Sequence, residues 1–172
     1  MKNISSISII SDTHGYIDSH IISYLKNTDV IIHAGDICST KIISDLNRYC
    51  ENVFLVAGNN DIPEKYIDTN DKEIISKLKK SQTININNNV VSVEHGDRFG
   101  YQANHEELRK SYPESKLIIY GHTHIQVCDQ IKEPWVINPG ACGQTRNNDG
   151  GPCFMQIEIR KGVWEIIPYC FN

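Results

Sequence analysis

No run of apolar residues in this 172-residue chain approaches the roughly 20 that a membrane-spanning helix requires. The Ile-rich start is short, and Asp12 and His14 interrupt it before a signal-peptide cleavage pattern develops. A cytoplasmic address without a membrane partner is the resulting expectation. Basic clusters are missing too: Lys and Arg are scattered, and the formal net charge is −4. Proteins that grip long nucleic acid carry a basic footprint, because phosphate neutralisation dominates that affinity, so no stable nucleic-acid binding is expected. The six cysteines form no C-x-x-C pair and no dense framework, which argues against a thiolate zinc site and a disulfide-stapled domain. Reduced and mostly buried thiols are expected instead. Repeats, linkers and composition shifts are absent, so residues 1–172 read as a single domain, compatible with a homo-oligomer.

What the chain does contain is alternation. Ile4, Ile7, Ile9 and Ile10 predict an opening strand, and Ile21, Ile22 and Leu25 predict a helix over Ser19 to Lys26. Val30 to His33 reads as a buried strand, Thr40 as the cap of a second helix, and Val53 to Val56 as a third strand. This β-α-β-α-β start predicts a parallel sheet. Further on, a short helix is expected around Ile74, Ile75 and Leu78. Strands follow at Thr83 to Ile86 and Val90 to Val93, joined by an Asn87-Asn88-Asn89 turn. A helix over Gln102 to Ser111 and a strand over Lys116 to Tyr120 come next. The C-terminal strands, Ile125 to Ile131, Trp135 to Ile137, Phe154 to Arg160 and Val163 to Ile167, are expected to be antiparallel.

Five of the strand ends release polar clusters: Asp12-x-His14, Gly35-Asp36, Gly58-Asn59-x-Asp61, His95-Gly96 and Gly121-His122-x-His124. Ligands of open α/β sheets gather at the carboxyl ends of strands, so the five can converge. Two aspartates, one asparagine amide oxygen and four histidines are O and N donors suited to divalent cations. In an extended segment residues i and i+2 share a side, so Asp12 with His14, and His122 with His124, can each face one point. Singly these clusters are weak signals; together they predict a metal centre.

The order of the five motifs resembles the calcineurin-like metallophosphoesterase superfamily. The short length and the Gly58-Asn59-Asn60-Asp61 form resemble its small YfcE-type phosphodiesterase branch. The resemblance implies an α/β fold, a two-sheet β-sandwich flanked by helices, with metals at the strand ends. By motif it implies one metal on Asp12, His14, Asp36 and His124, and a second on Asp36, Asn59, His95 and His122. It also implies a phosphodiester of small or nucleotide-like kind, hydrolysed by a two-metal-activated hydroxide. Mn is favoured over Fe, Ni, Zn or Co by the family analogy and by the lack of thiolate ligands.

Asn60 departs from the superfamily pattern, which commonly has His there to protonate the leaving group. An amide can hydrogen-bond to a phosphoryl oxygen but is no general acid, so the expectation is good leaving groups or strained esters, or else a proton from metal-bound water. Asp61 is assigned either to orienting a ligand histidine or to a solvated turn. Asn138-Pro139-Gly140 is read as a structural turn, His33 as a satisfied core histidine, and His20 and His105 as surface residues. Arg98 and Arg146 are read as solvated loop cations. The alternatives are a phosphomonoesterase with the same centre, and a retromer-subunit-like interaction scaffold. A nuclease role ranks third.

Overall fold

In the computed structural model, which describes residues 3–143 and 151–171, the first half of the chain alternates as expected. Strand β1 (Ser6–Ile10), helix α1 (Ser19–Leu25), strand β2 (Val30–His33), helix α2 (Thr40–Tyr49) and strand β3 (Val53–Leu55) follow one another. The three strands are parallel, with Ile9 opposite Ile32 and Ile32 opposite Phe54. Alternate side chains go to different layers. Ile7, Ile9, Val30 and Ile32 join a core with residues of the second sheet, while Ile10 and Ile31 pack with Ile21, Leu25 and Leu46 of the helices. With both faces covered, β2 reads as nearly continuous Val and Ile, while β1 ends in the apolar pair Ile9-Ile10 after alternating Ser and Ile.

Helix α3 (Thr69–Ser76), strands β4 (Ser81–Ile86) and β5 (Asn89–Glu94), helix α4 (His105–Ser111), and strands β6 (Leu117–Ile119), β7 (Gln126–Asp129), β8 (Trp135–Pro139), β9 (Cys153–Arg160) and β10 (Val163–Cys170) complete the order. One sheet runs β10-β9-β1-β2-β3 and the other β4-β5-β6-β8-β7. The inner faces meet through Ile7, Ile9 and Ile32 on one side and Val91, Val93, Leu117 and Ile119 on the other. Helix α4 covers the outer face of the second sheet through Leu108, against Ile118 and Val136. The fold is therefore a two-sheet sandwich flanked by helices.

Several local expectations shift. Helix α2 begins at Thr40 after Ser39, and the Thr40 hydroxyl donates to Asp71 at 2.6 Å instead of capping its own helix. Helix α4 starts at His105, because Asn104 accepts from the Glu106 and Glu107 N–H groups and fixes the start there. Of the C-terminal strands, β7–β8 and β9–β10 are antiparallel, but β8 runs parallel to β6. The thiol expectation also needs correction. Cys153 and Cys170 are disulfide-bonded across β9 and β10, and Cys128 is exposed, while Cys50 and Cys142 are buried and free. The Lys161-Gly162 turn sets a register that places Cys153 directly opposite Cys170. No helix among the described residues is long and apolar enough to cross a membrane.

Candidate metal centre

The segments leaving β1, β2, β3, β5 and β6 meet in a cleft of about 340 Å³. Its walls include His14, Asp36, Asn59, His122 and His124, with Asp12 and His95 buried beside them. A larger cleft of about 810 Å³ lies at the opposite ends of the parallel strands, beside Asn3, Asp29 and Asn52, away from these donors. In the smaller cleft, His14 Nε2 is 3.3 Å from His124 Nε2, which is 3.2 Å from Asp12 Oδ1. The Asp36 oxygens lie 3.7 Å from His14 Nε2 and 3.5 Å from His95 Nε2. His95 Nε2 is also 3.1 Å from Asn59 Oδ1, and the His122 ring meets the His95 ring edge-on at 5.2 Å. All seven donors expected from the sequence are thus neighbours. Two sets have ligand atoms within 4.8 Å of one another: Asp12, His14 and His124, and Asp12, Asp36 and His95.

The backbone is bent to achieve this. Asp12, His14, Asp36, His122 and His124 all have left-handed φ values between 44° and 67°, a region disfavoured for residues with a Cβ. Strain of this kind persists only where surrounding structure enforces it, and it gathers at functional sites. Close approach completes the packing. A Cβ on Gly58 would overlap the Asp36 backbone nitrogen and Oδ1, and one on Gly121 would overlap the Ser11 hydroxyl.

Hydrogen bonds then orient the donors. His95 Nδ1 is 2.8 Å from the Ala34 carbonyl, which only an Nδ1–H can satisfy. Burial pulls the His95 imidazole down, but its bond to Asp36 and the charges of Asp12 and Asp36 push it up to about 9. Burial raises Asp36, yet His95 and the Asn60 amide more than offset this and hold its carboxyl far below the usual range. The His122 imidazole is lowered, first by burial and then by His95. Asp12 Oδ2 accepts the His122 backbone N–H at 3.1 Å, whereas its buried Oδ1 makes no hydrogen bond among the described residues and has the His124 Nε2 nitrogen 3.2 Å away. A buried carboxylate oxygen left without a hydrogen bond and facing imidazole nitrogens fits a divalent cation well.

Asn60 and Asp61 take places the sequence did not specify. Asn60 Nδ2 donates to Asp36 Oδ2 at 2.7 Å, and its Oδ1 accepts from Lys65 Nζ at 2.7 Å. The amide is engaged with Asp36 and Lys65 and is not held open for a phosphoryl oxygen. Asp61 touches no ligand histidine and is not solvated. It is buried, accepting the N–H groups of Ile37, Cys38 and Gly58 at 3.1, 2.8 and 2.8 Å. Asn138 braces the two-histidine loop by donating to the Gly121 carbonyl at 2.8 Å and to Thr123 Oγ1 at 3.1 Å.

Other assignments divide. His33 is buried and satisfied: it accepts from the Gly35 N–H and pairs with Thr13 Oγ1 at 3.0 Å, and burial pushes it down to about 4. His20 is exposed, as expected. His105 is not a plain surface residue, since its ring bridges Asp129 at 2.8 Å and the Tyr120 hydroxyl at 3.2 Å. Arg98 is not loosely solvated either; it makes two bonds to Glu94, at 2.9 and 3.0 Å. Arg146 lies outside the described residues. Sequence reasoning missed Lys65, and it missed Cys38, whose sulfur is 3.7 Å from His14 Nδ1. It also missed Tyr101, stacked on His122 at 5.5 Å and 18° between planes. No motif marks any of the three.

A family model described as the calcineurin-like phosphoesterase superfamily domain matches residues 6–162. The chain belongs to the calcineurin-like phosphoesterase superfamily. Among its curated relatives is a probable metallophosphoesterase of Mycoplasma pneumoniae, 30% identical over 169 residues and covering 92% of each chain. Another is a phosphodiesterase of Methanocaldococcus jannaschii, 30% identical over 150 residues, 79% of this chain and 83% of that one. Among solved structures, Vacuolar Protein Sorting 29 from Cryptosporidium parvum superposes with a TM-score of 0.76 at 18% identity, covering 99% of this chain and 100% of that one. A novel archaeal phosphodiesterase gives 0.66 at 23% identity, with 95% and 99% covered. At such identities the superpositions establish the calcineurin-like phosphoesterase fold alone.

Proposed function

We propose that this chain is a hydrolase that cleaves a small or nucleotide-like phosphodiester at a centre of two divalent cations. Asp36 carries the reading. Its two oxygens face His14, which clusters with Asp12 and His124, and His95, which neighbours Asn59 and His122. Two neighbouring cations would need negative charge shared between them, and Asp36 would provide it. In this assignment Asp12, His14, Asp36 and His124 hold one ion, and Asp36, Asn59, His95 and His122 hold the other. When bound, the ions supply Lewis acidity that lowers the pKa of water and offsets charge on the phosphoryl oxygens.

The remaining work belongs to the protein. The Ala34 carbonyl holds the proton on His95 Nδ1, so Nε2 is the nitrogen presented to the site. Asn60 restrains Asp36 through its backbone N–H at 2.8 Å and its side-chain amide. Lys65 adds a cation at the rim through Asn60. Mixed imidazole and oxygen donors support Mn, and they also accept Fe, Ni, Zn or Co. The scaffold alternative has the same fold in its favour; the complete donor set is what favours catalysis. Turnover of bis(p-nitrophenyl) phosphate against p-nitrophenyl phosphate, with Mn present, tests the reading. Diester preference is the expected result, and preference for the monoester would replace it with a phosphomonoesterase.

A further inference from the structure

Tyr101 stands out at the mouth of the metal cleft. The residue is 84% exposed, yet its ring stacks on the His122 imidazole with 18° between planes and lines the same cleft as His14 and Asp36. Its position is built from below. Gly96 and Gly100, with φ of 92° and 65°, bracket the short turn Asp97–Phe99. Arg98 ties that turn to the buried Glu94 by two bonds and lies 4.1 Å over the Phe99 ring. Phe99 in turn packs against the cluster of Leu108, Ile118 and Tyr120. An anchored base thus presents a large aromatic face to water beside the candidate ligands. Ile125 follows His124 directly, is 43% exposed and lines the same cleft, a second apolar group beside the candidate ligands.

Exposed aromatic faces are the usual means of holding a planar ring without sequence-like readout, because every such ring offers a π surface. We propose that Tyr101, with Ile125 lining the same cleft, forms a subsite for a planar aromatic group carried by the phosphate ester, an aryl ring or a nucleobase. This rests on the phosphoesterase reading of the site and names the substrate class it selects. Tyr101 acts on recognition: it contributes apolar area and stacking, while Asp12, Asp36 and the histidines address the phosphate end.

The test compares binding of phenyl phosphate and methyl phosphate to the full chain by calorimetry, with and without Mn, in the wild type, Tyr101→Ala and Tyr101→Phe. The wild type is expected to bind phenyl phosphate about tenfold more tightly, the scale of one aromatic stack. Tyr101→Ala should abolish the difference and Tyr101→Phe should keep it. Equal affinities in the wild type, or an unchanged ratio in Tyr101→Ala, would overturn the subsite. The outcome is separable from the reading beneath it. Retained aryl selectivity in binding, without turnover of any diester, would remove the phosphodiesterase assignment and leave the aromatic subsite standing.

Discussion

The Asp61 carboxylate accepts the Cys38 backbone N–H at 2.8 Å, across 23 residues of sequence. The same side chain accepts the Ile37 and Gly58 N–H groups, so one buried acid ties the loop after β2 to the loop after β3. Asp36 and Asn59, candidate ligands from those two loops, are held together by this clamp and by the Asn60 bonds to Asp36. Bonds from N–H groups to a carboxylate are stronger than neutral ones, and a buried acceptor is costly to disturb.

Asp61→Asn is therefore expected to lower stability by about 2 kcal/mol, the range for a hydrogen bond to a charged group. It should also weaken metal affinity about tenfold or more, as loss of a supporting shell does. Urea denaturation and metal titration measure the two effects. An unchanged midpoint would mean that the clamp is dispensable.

Under the proposed reading, Asn60 stands where the superfamily pattern commonly has a histidine to protonate the leaving group. Asn60→His should raise turnover of esters with alkoxide leaving groups more than that of aryl esters, by about tenfold or more if general-acid catalysis is restored. Side-by-side kinetics on an alkyl and an aryl diester decide it. Equal effects on both would count against a missing acid.

The network around Asp129 supplies a pH dependence of stability. Burial raises the Asp129 carboxyl, but His105, Arg109 and the Ile131 N–H lower it further, so its folded value lies below the unfolded one. A depressed carboxylate stabilises the fold above its unfolded value, about 4, and that stability is lost as pH falls through the folded value. The stability advantage of the wild type over Asp129→Asn should be full at neutral pH and shrink below about pH 4. A constant difference across that window would contradict the linkage.

The sequence disclosed most where periodicity and chemistry coincide. The Ile-rich β1 and β2 and the apolar stripe of α2 announce their own elements, and the seven donors follow strands whose ends must face one crevice. The parallel pairing of β8 with β6 was hidden, because a five-residue strand carries no mark of its partner. Asp61 was illegible for a similar reason: a turn aspartate aims anywhere until the neighbouring loop is in place. His105 looked like surface because its partner Asp129 comes from a strand 24 residues later. The Cys153–Cys170 pair was within reach, since counting outward from the Lys161-Gly162 turn brings the two together. Tyr101 carried no signal at all, as only the folded loop lays it on His122.

In the proposed centre, Asp36 is shared by two cations. Metal content after loading with Mn and removal of free ions tests it most directly, in the wild type and in Asp36→Ala. About two ions per chain in the wild type, falling to one or none in the variant, is the expected result. A wild-type chain that retains no metal, or an Asp36→Ala chain that retains as much as the wild type, would contradict it.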